Sequence, residues 1–524
     1  MSDEQNKLDR RSFIGAATGT AAMGMGLATS LMSGAAQAQP PGGGSGGGAP
    51  LATGGTFSPM QAEVTVNDCE IEGEIPSDLS GGFYAAGPDP QYPNQMNPGN
   101  IMFDGEGHVR MFRIKNGRVD YRTRFPKSER YTAQNEAGKI LMPMYRNPAM
   151  DDPSVKGLSR STANTHVINH QGLILALKED SPPVAMDLNT LETVDPVYTF
   201  NGELPRTQPF TAHPKICSTT GNIVAHGSEA DGFGSKTVAV FEIDRNTGKK
   251  VWEAKVEMPY VCLLHDFAVT ENHIILFNIP LAIDHEQMAR GGIHWSWDKT
   301  KKTYLGFFRR YGDGKDIKWV EGPSRSGTHT MGAFEDNGKL YFDTEITAGN
   351  PFPFMPNKDG SAPDFSKSTS YIHRLSLNIN GTNKGYGFEK MYPLKAPLPK
   401  QDDRYNTMPY RYGYMGCPDP EATGQAGACY ARVDNATRTY DLWNAGTKIS
   451  LAEPCFAPKS LNSREGEGYL IGVAYNLDQN LRSDLVILDA ERLADGPIAK
   501  VKLPVQASPQ VHGWWVPEYQ YPKA

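Results

Sequence analysis

From about Pro59 onward the chain is written in short stretches of alternating apolar and polar residues, each closed by a turn signal. Gly81-Gly82 leads into FYAAG, Asn116-Gly117 into RVDYRTRF, Gln171-Gly172 into LILALKE, Thr220-Gly221 into NIVAHG, and Asn337-Gly338 into KLYFD. Asn and Gly tolerate the positive φ of a tight hairpin, and a period of two sends alternate side chains to opposite faces, so these stretches predict antiparallel hairpins. Long helical periodicity is scarce and no strand–helix alternation is visible, which predicts an all-β fold. Three of the hairpins share one form. HPKICSTTGNIVAHG from His213, HDFAVTENHIILF from His265 and HTMGAFEDNGKLYFD from His329 each start on a histidine, run outward, turn and return apolar. Their starts lie 52 and 64 residues apart, a spacing that suits four-stranded propeller blades of about 40 to 50 residues with insertions. First strands at one radius would point these three imidazoles at one axis, and imidazole is the commonest metal ligand. Taken singly, most of the 12 histidines, among them His226, His273, His285, His294 and His373, read as surface or core side chains. His512, in VHGWWVP near the C-terminus, has no repeat partner.

Composition narrows the class. With 21% charged and 10% aromatic residues, the 524-residue chain can bury a large core, which excludes a disordered or fibrous protein. A net charge of −7 and the absence of any long Lys/Arg run exclude non-specific nucleic-acid binding, which needs a basic footprint. Asp9-Arg10-Arg11-Ser12-Phe13-Ile14 followed by a Gly/Ala-rich stretch and Ala36-Gln37-Ala38 predicts a twin-arginine signal peptide over residues 1–38, cleaved after Ala38. The expected partner is the twin-arginine export machinery, which carries folded proteins, and the expected location is the periplasm. The stretch is too weakly apolar for a stable membrane span. Residues 39–58 read as a flexible Gly/Pro linker whose GGGSGGG lacks the strand and helix that a phosphate loop needs. Residues 59–524 are expected to form the functional domain. The six cysteines include no CxxC pair, so a thiolate zinc site is not indicated. Cys417 and Cys429, which bracket a Pro/Gly-rich loop, alone look pairable.

FTAHPKI, LHDFAVTENHIILF, SGTHTMGAFEDNGKLYFD and VHGWWVP, in that order, resemble the carotenoid cleavage oxygenase superfamily over almost the whole mature chain. The resemblance implies a seven-bladed β-propeller with a helical and loop cap over the metal face. It also implies that His213, His265, His329 and His512 bind a ferrous ion, Fe(2+). Four neutral imidazoles suit such a borderline transition metal and leave coordination positions open, whereas four ligands would close a tetrahedral zinc site. The family pairs ligand histidines with three glutamates. Glu179 in LALKEDSPP and Glu453 in AEPCFAP match two of them, and Pro397 stands where the third is expected.

Within the superfamily the resemblance runs to the bacterial lignostilbene dioxygenases and isoeugenol-cleaving oxygenases, through MFDGEGHVRMFRIKNGRVDYRTRF, MYRNPAMDDPSVKG and STANTHVINHQGLILALKED. It implies that Phe103 packs on the substrate's aryl ring and that the catalytic pair Tyr145 and Lys178 holds its 4-hydroxyl. Thr165 would lie near a vacant iron position, and His166 follows it where asparagine is usual. An ammonium beside a phenol favours the phenolate, whose electrons reach a conjugated double bond. The expected reaction is cleavage of a 4-hydroxyphenyl alkene by dioxygen to aldehydes, in the breakdown of lignin-derived aromatics. An apocarotenoid substrate and a non-catalytic ligand-binding propeller are the alternatives, the latter motivated by Pro397. A zinc hydrolase lacks a candidate general base.

Overall fold

The Asn-Gly and Gln-Gly turns close the hairpins the sequence assigns to them. Asn116 and Gly117 have φ of 53° and 73°, Gln171 and Gly172 of 49° and 79°, and Asn337 and Gly338 of 48° and 74°. Each pair is the two-residue loop between directly opposed ladder residues: Lys115 and Arg118, His170 and Leu173, Asp336 and Lys339. Both loop residues sit in the left-handed region, the twist that antiparallel strands need at a tight turn. The structure, a computed structural model, describes residues 59–92, 100–480 and 482–522. The signal and the linker assigned from sequence, residues 1–58, lie outside them.

Seven antiparallel sheets are the blades of a β-propeller. The first five follow the chain, with innermost strands His166–His170, Lys215–Ile216, Phe267–Val269, Thr330–Asp336 and Lys400–Gln401. The last two are composite. Cys455–Pro458 opens the sixth, whose outer edge is the N-terminal strand Glu70–Gly73 paired with Pro497–Gln506. His512–Pro517 opens the seventh and pairs with Gly81–Pro88, so the two ends of the chain close the ring. From the third blade round to the first, successive innermost strands touch around the axis, His512–Pro517 lying against His166–His170. Gly81–Pro88 is buried along its whole length, as a strand sandwiched between neighbouring blades must be.

Loops between blades and insertions within the third and fourth blades form the cap. Among the described residues its regular pieces are the helices Glu129–Ala137 and His285–Ala289, short 3-10 turns, and a hairpin of Leu281–Ile283 with Trp295–Trp297. Ser128 caps the longer helix by accepting a hydrogen bond from the Tyr131 amide at 3.1 Å. The cap is therefore more loop than helix. No helix among the described residues is long and apolar enough to cross a membrane. Cys417 and Cys429, the pair the sequence leaves open to bonding, are directly opposed in the fifth blade, and both are free buried thiols.

Candidate metal centre and aromatic pocket

His213 and His265 lie two residues before the innermost strands of the second and third blades, and His329 one residue before that of the fourth. His512 is the first residue of the innermost strand in the closing blade. The repeated hairpins thus place three histidines at the axis, and ring closure adds the fourth. One ring nitrogen from each lies within 4.8 Å of the others, and all four residues are buried. His265 Nε2 is 3.1 Å from both His213 Nε2 and His329 Nε2.

Hydrogen bonds on the far side of the rings decide what those nitrogens can do. His265 Nδ1 lies 2.6 Å from Glu179 Oε1, His329 Nδ1 2.6 Å from Glu345 Oε1, and His512 Nδ1 2.9 Å from Glu453 Oε1. A carboxylate accepts, so each Nδ1 carries the proton and each Nε2 keeps a lone pair. Burial pushes His213 and His512 well below the usual imidazole range and His329 down to about 3, so these rings are neutral at neutral pH. The Nε2 lone pairs of His265 and His329 face each other with no proton between them, and His512 Nε2 is buried with no hydrogen-bond partner among the described residues. Such a cluster is repulsive until a cation occupies it. Nitrogens about 2.1 Å from one ion and at right angles to each other lie about 3.0 Å apart, close to the spacing here. The donor set therefore fits a transition metal.

Glu345 corrects the sequence reading. Pro397 is buried and offers no acceptor, but the third carboxylate is present, contributed by the strand next to His329. Counting outward from the Asn337-Gly338 turn sets the strand from Lys339 against the one from Thr330, and an irregularity near Thr330 brings Glu345 beside His329, whose carbonyl accepts the Glu345 amide at 3.2 Å. Burial pushes Glu345 up to about 8 despite the Thr328 hydroxyl that donates to it, and a cation on His329 would draw it back down and keep it an acceptor. Burial also raises Glu179, but Lys178, with Nζ 3.5 Å away, and His265 more than offset this and hold it well below the carboxylate range. Glu345→Gln should weaken metal affinity about 10- to 100-fold, and Pro397→Ala should leave it unchanged, both read by titration with a competing chelator.

The remaining site residues gather on one side of the histidines. Phe103, Tyr145, Thr165, Lys178 and Glu179 line a cavity with His265, Leu263, Phe352, Phe354, Met355 and Val511. Lys178 Nζ lies 5.1 Å from the centre of the Tyr145 ring and 3.5 Å from Thr165 Oγ1. Burial disfavours the Lys178 ammonium, but Tyr145, Glu179 and Asp180 outweigh it and hold the group above its ordinary value. Burial pushes the Tyr145 phenol up to about 12 despite Lys178, so it stays protonated. Asn164 ties the wall together, donating to the Phe103 carbonyl at 2.8 Å and the Gly105 carbonyl at 2.7 Å. Gly107 permits this closeness, since a Cβ there would lie 2.1 Å from the Ala163 carbonyl oxygen. The FDGEG and TANT segments are thus two halves of one wall.

Sequence reasoning did not find Phe352 and Phe354, which sit in a Pro-rich cap loop without periodicity. Phe354 packs at a tilt against Phe103 with ring centres 5.4 Å apart, and Phe352 and His265 meet edge-to-face at 5.8 Å. It also missed Arg146, buried beside Tyr145 with φ of 49°, bonded to Glu229 and set over Trp295 at 5.0 Å. That cluster fixes the backbone carrying the Tyr145 phenol.

The family model described as retinal pigment epithelial membrane protein matches residues 57–517. The chain belongs to this carotenoid oxygenase family. It is 37% identical over 485 residues to lignostilbene-alpha,beta-dioxygenase isozyme III of Sphingomonas paucimobilis, covering 90% of this chain and 98% of that protein. To isoeugenol monooxygenase of Pseudomonas putida it is 37% identical over 469 residues, covering 88% and 97%. The solved lignostilbene dioxygenase of Pseudomonas brassicacearum superposes with a TM-score of 0.83 at 35% identity, over 88% of this chain and 97% of that one. The family is iron-dependent, in keeping with the four-histidine cluster.

Proposed function

We propose that this carotenoid oxygenase family member is an iron(II)-dependent enzyme that cleaves the side-chain double bond of a 4-hydroxyphenyl alkene, such as a lignostilbene or another phenylpropanoid, with dioxygen to two carbonyl products. The observation that carries the substrate class is the buried Lys178 ammonium beside the Tyr145 ring in an aromatic cavity bounded by His265. An apolar polyene would gain nothing from a buried cation, whereas a phenol gains a counter-charge for its ionised form. Relatives named for lignostilbene and isoeugenol support the same class.

A ferrous ion held by His213, His265, His329 and His512 supplies dioxygen binding and activation. Phe103, Phe352 and Phe354 clamp the aryl ring and exclude water. Tyr145 donates a hydrogen bond to the 4-oxygen and Lys178 stabilises its negative charge, so electron density is pushed along the conjugated system to the double bond. Thr165, hydrogen-bonded to Asn164 at 3.0 Å, fixes the wall beside Lys178. With Glu345 in place of the expected third carboxylate, the reason for a non-catalytic propeller falls away.

We further infer export by the twin-arginine machinery and a periplasmic location, supported by Arg10-Arg11 and by the small residues before Gln39. The test of function is aerobic incubation of the iron(II)-loaded mature protein with 4-hydroxystilbenes and isoeugenol, followed by mass spectrometry. Aldehydes that require both iron and oxygen are expected. Iron-replete protein that consumes no oxygen with any of these phenols would refute the assignment.

A further inference from the structure

The propeller presents one residue per blade at the start of each innermost strand. In blade order these are His166, His213, His265, His329, Lys400, Glu453 and His512, each at the first residue of its strand or within two residues before it. Four are the metal-binding histidines. Lys400 and Glu453 pair with each other at 3.4 Å, and Glu453 orients His512. His166, in the blade between those of His512 and His213, has no role in that scheme.

Its surroundings give it one. The His166 ring centre lies 5.2 Å from that of His512 and 5.8 Å from that of His213. Those values fall within the 4.4 to 6.5 Å that separate the four metal-binding rings from one another. His166 Nδ1 lies 2.8 Å from the Ala212 carbonyl, which only accepts, so the proton is on Nδ1 and the lone pair on Nε2. His166 is 3% exposed, and its Nε2 is buried with no hydrogen-bond partner among the described residues.

His166 lines a cavity separate from the aromatic pocket. It is lined by His213, His329 and His512 and by polar groups including Lys400 and Gln401, and it shares no lining residue with the substrate side. Gln401 Oε1 likewise has no partner among the described residues, its amide nitrogen donating to Asn406 Oδ1 at 2.7 Å. Two residues that line one polar cavity beside the histidine cluster each carry an unpartnered buried acceptor, and a buried water, with two hydrogens to donate, satisfies such groups.

We propose that His166 is a positioning residue that holds a water on the metal from the polar side, accepting its hydrogen bond at Nε2, with Gln401 Oε1 as second acceptor. Occupying that coordination position leaves the substrate side for dioxygen. The idea rests on metal binding by the four histidines, and the test separates the two.

Cobalt(II) is loaded anaerobically into the full mature chain, and its visible absorption and the relaxation of bulk water protons are recorded. In His166→Phe the water-relaxation enhancement should be lost and the cobalt bands should shift as coordination falls. His166→Gln, which keeps an acceptor, should restore both. Bands and relaxation identical to wild type in His166→Phe would overturn the proposal. So would loss of cobalt from both variants to the extent seen in His213→Ala, since that marks direct ligation. Should only His166→Phe misfold, His166→Ala replaces it in the same comparison. Failure of the wild type itself to take up cobalt would sink the metal assignment instead.

Discussion

His265→Ala is expected to yield a folded propeller that retains no iron and consumes no oxygen with any 4-hydroxyphenyl alkene. His265 is the proposed ligand that joins both halves of the site, with Nε2 3.1 Å from two other histidine nitrogens and its ring in an edge-to-face pair with Phe352 at the substrate side. Losing a hydrogen-bond partner of a ligand already costs about 10- to 100-fold in affinity or activity, and losing the ligand removes a coordinate bond outright. The fold should survive, because Glu179 keeps Lys178 as its charge partner at 3.5 Å and the truncation relieves a lone-pair repulsion. Metal analysis of the purified variant and an oxygen electrode check this together. A variant with wild-type iron content would mean that His265 is not a ligand.

What the sequence made legible follows from how local each signal is. Turns such as Asn116-Gly117 carry their own conformational demand, and the histidines of three consecutive blades recur because those blades are consecutive in the chain. His512 broke the pattern for a topological reason: its strand pairs with Gly81–Pro88, more than 400 residues earlier in the chain, so no hairpin follows it. Glu345 was legible in principle, since the hairpin register from Asn337-Gly338 sets it beside His329, but only to a reader who allowed for the irregularity near Thr330. Phe352 and Phe354 reach the pocket from a loop whose path depends on cap packing, and no periodic signal encodes that. His166 was visible as a departure from the family pattern, and its meaning needed the ring of seven blade positions.

The substrate assignment turns on Lys178→Met, which should keep iron and lose turnover of 4-hydroxystilbenes by about 10²- to 10⁴-fold, the range for removing a group that manages a proton or charge in the transition state. Methionine preserves most of the volume beside Tyr145, so the cavity should not collapse. Glu179 loses a cation but keeps its 2.6 Å bond to His265, so the ligand stays oriented. Two loss mechanisms are separable by substrate. If Lys178 only filled space, 4-hydroxy- and 4-methoxystilbene would decline together. If its charge stabilises the phenolate, the variant's residual rate on the 4-hydroxy compound should approach that on the 4-methoxy compound, with the loss in kcat rather than KM because charge reaches the double bond only as the transition state forms. Full activity in the iron-replete variant would remove the phenolate argument, since among the described residues lining this cavity Lys178 is the cation.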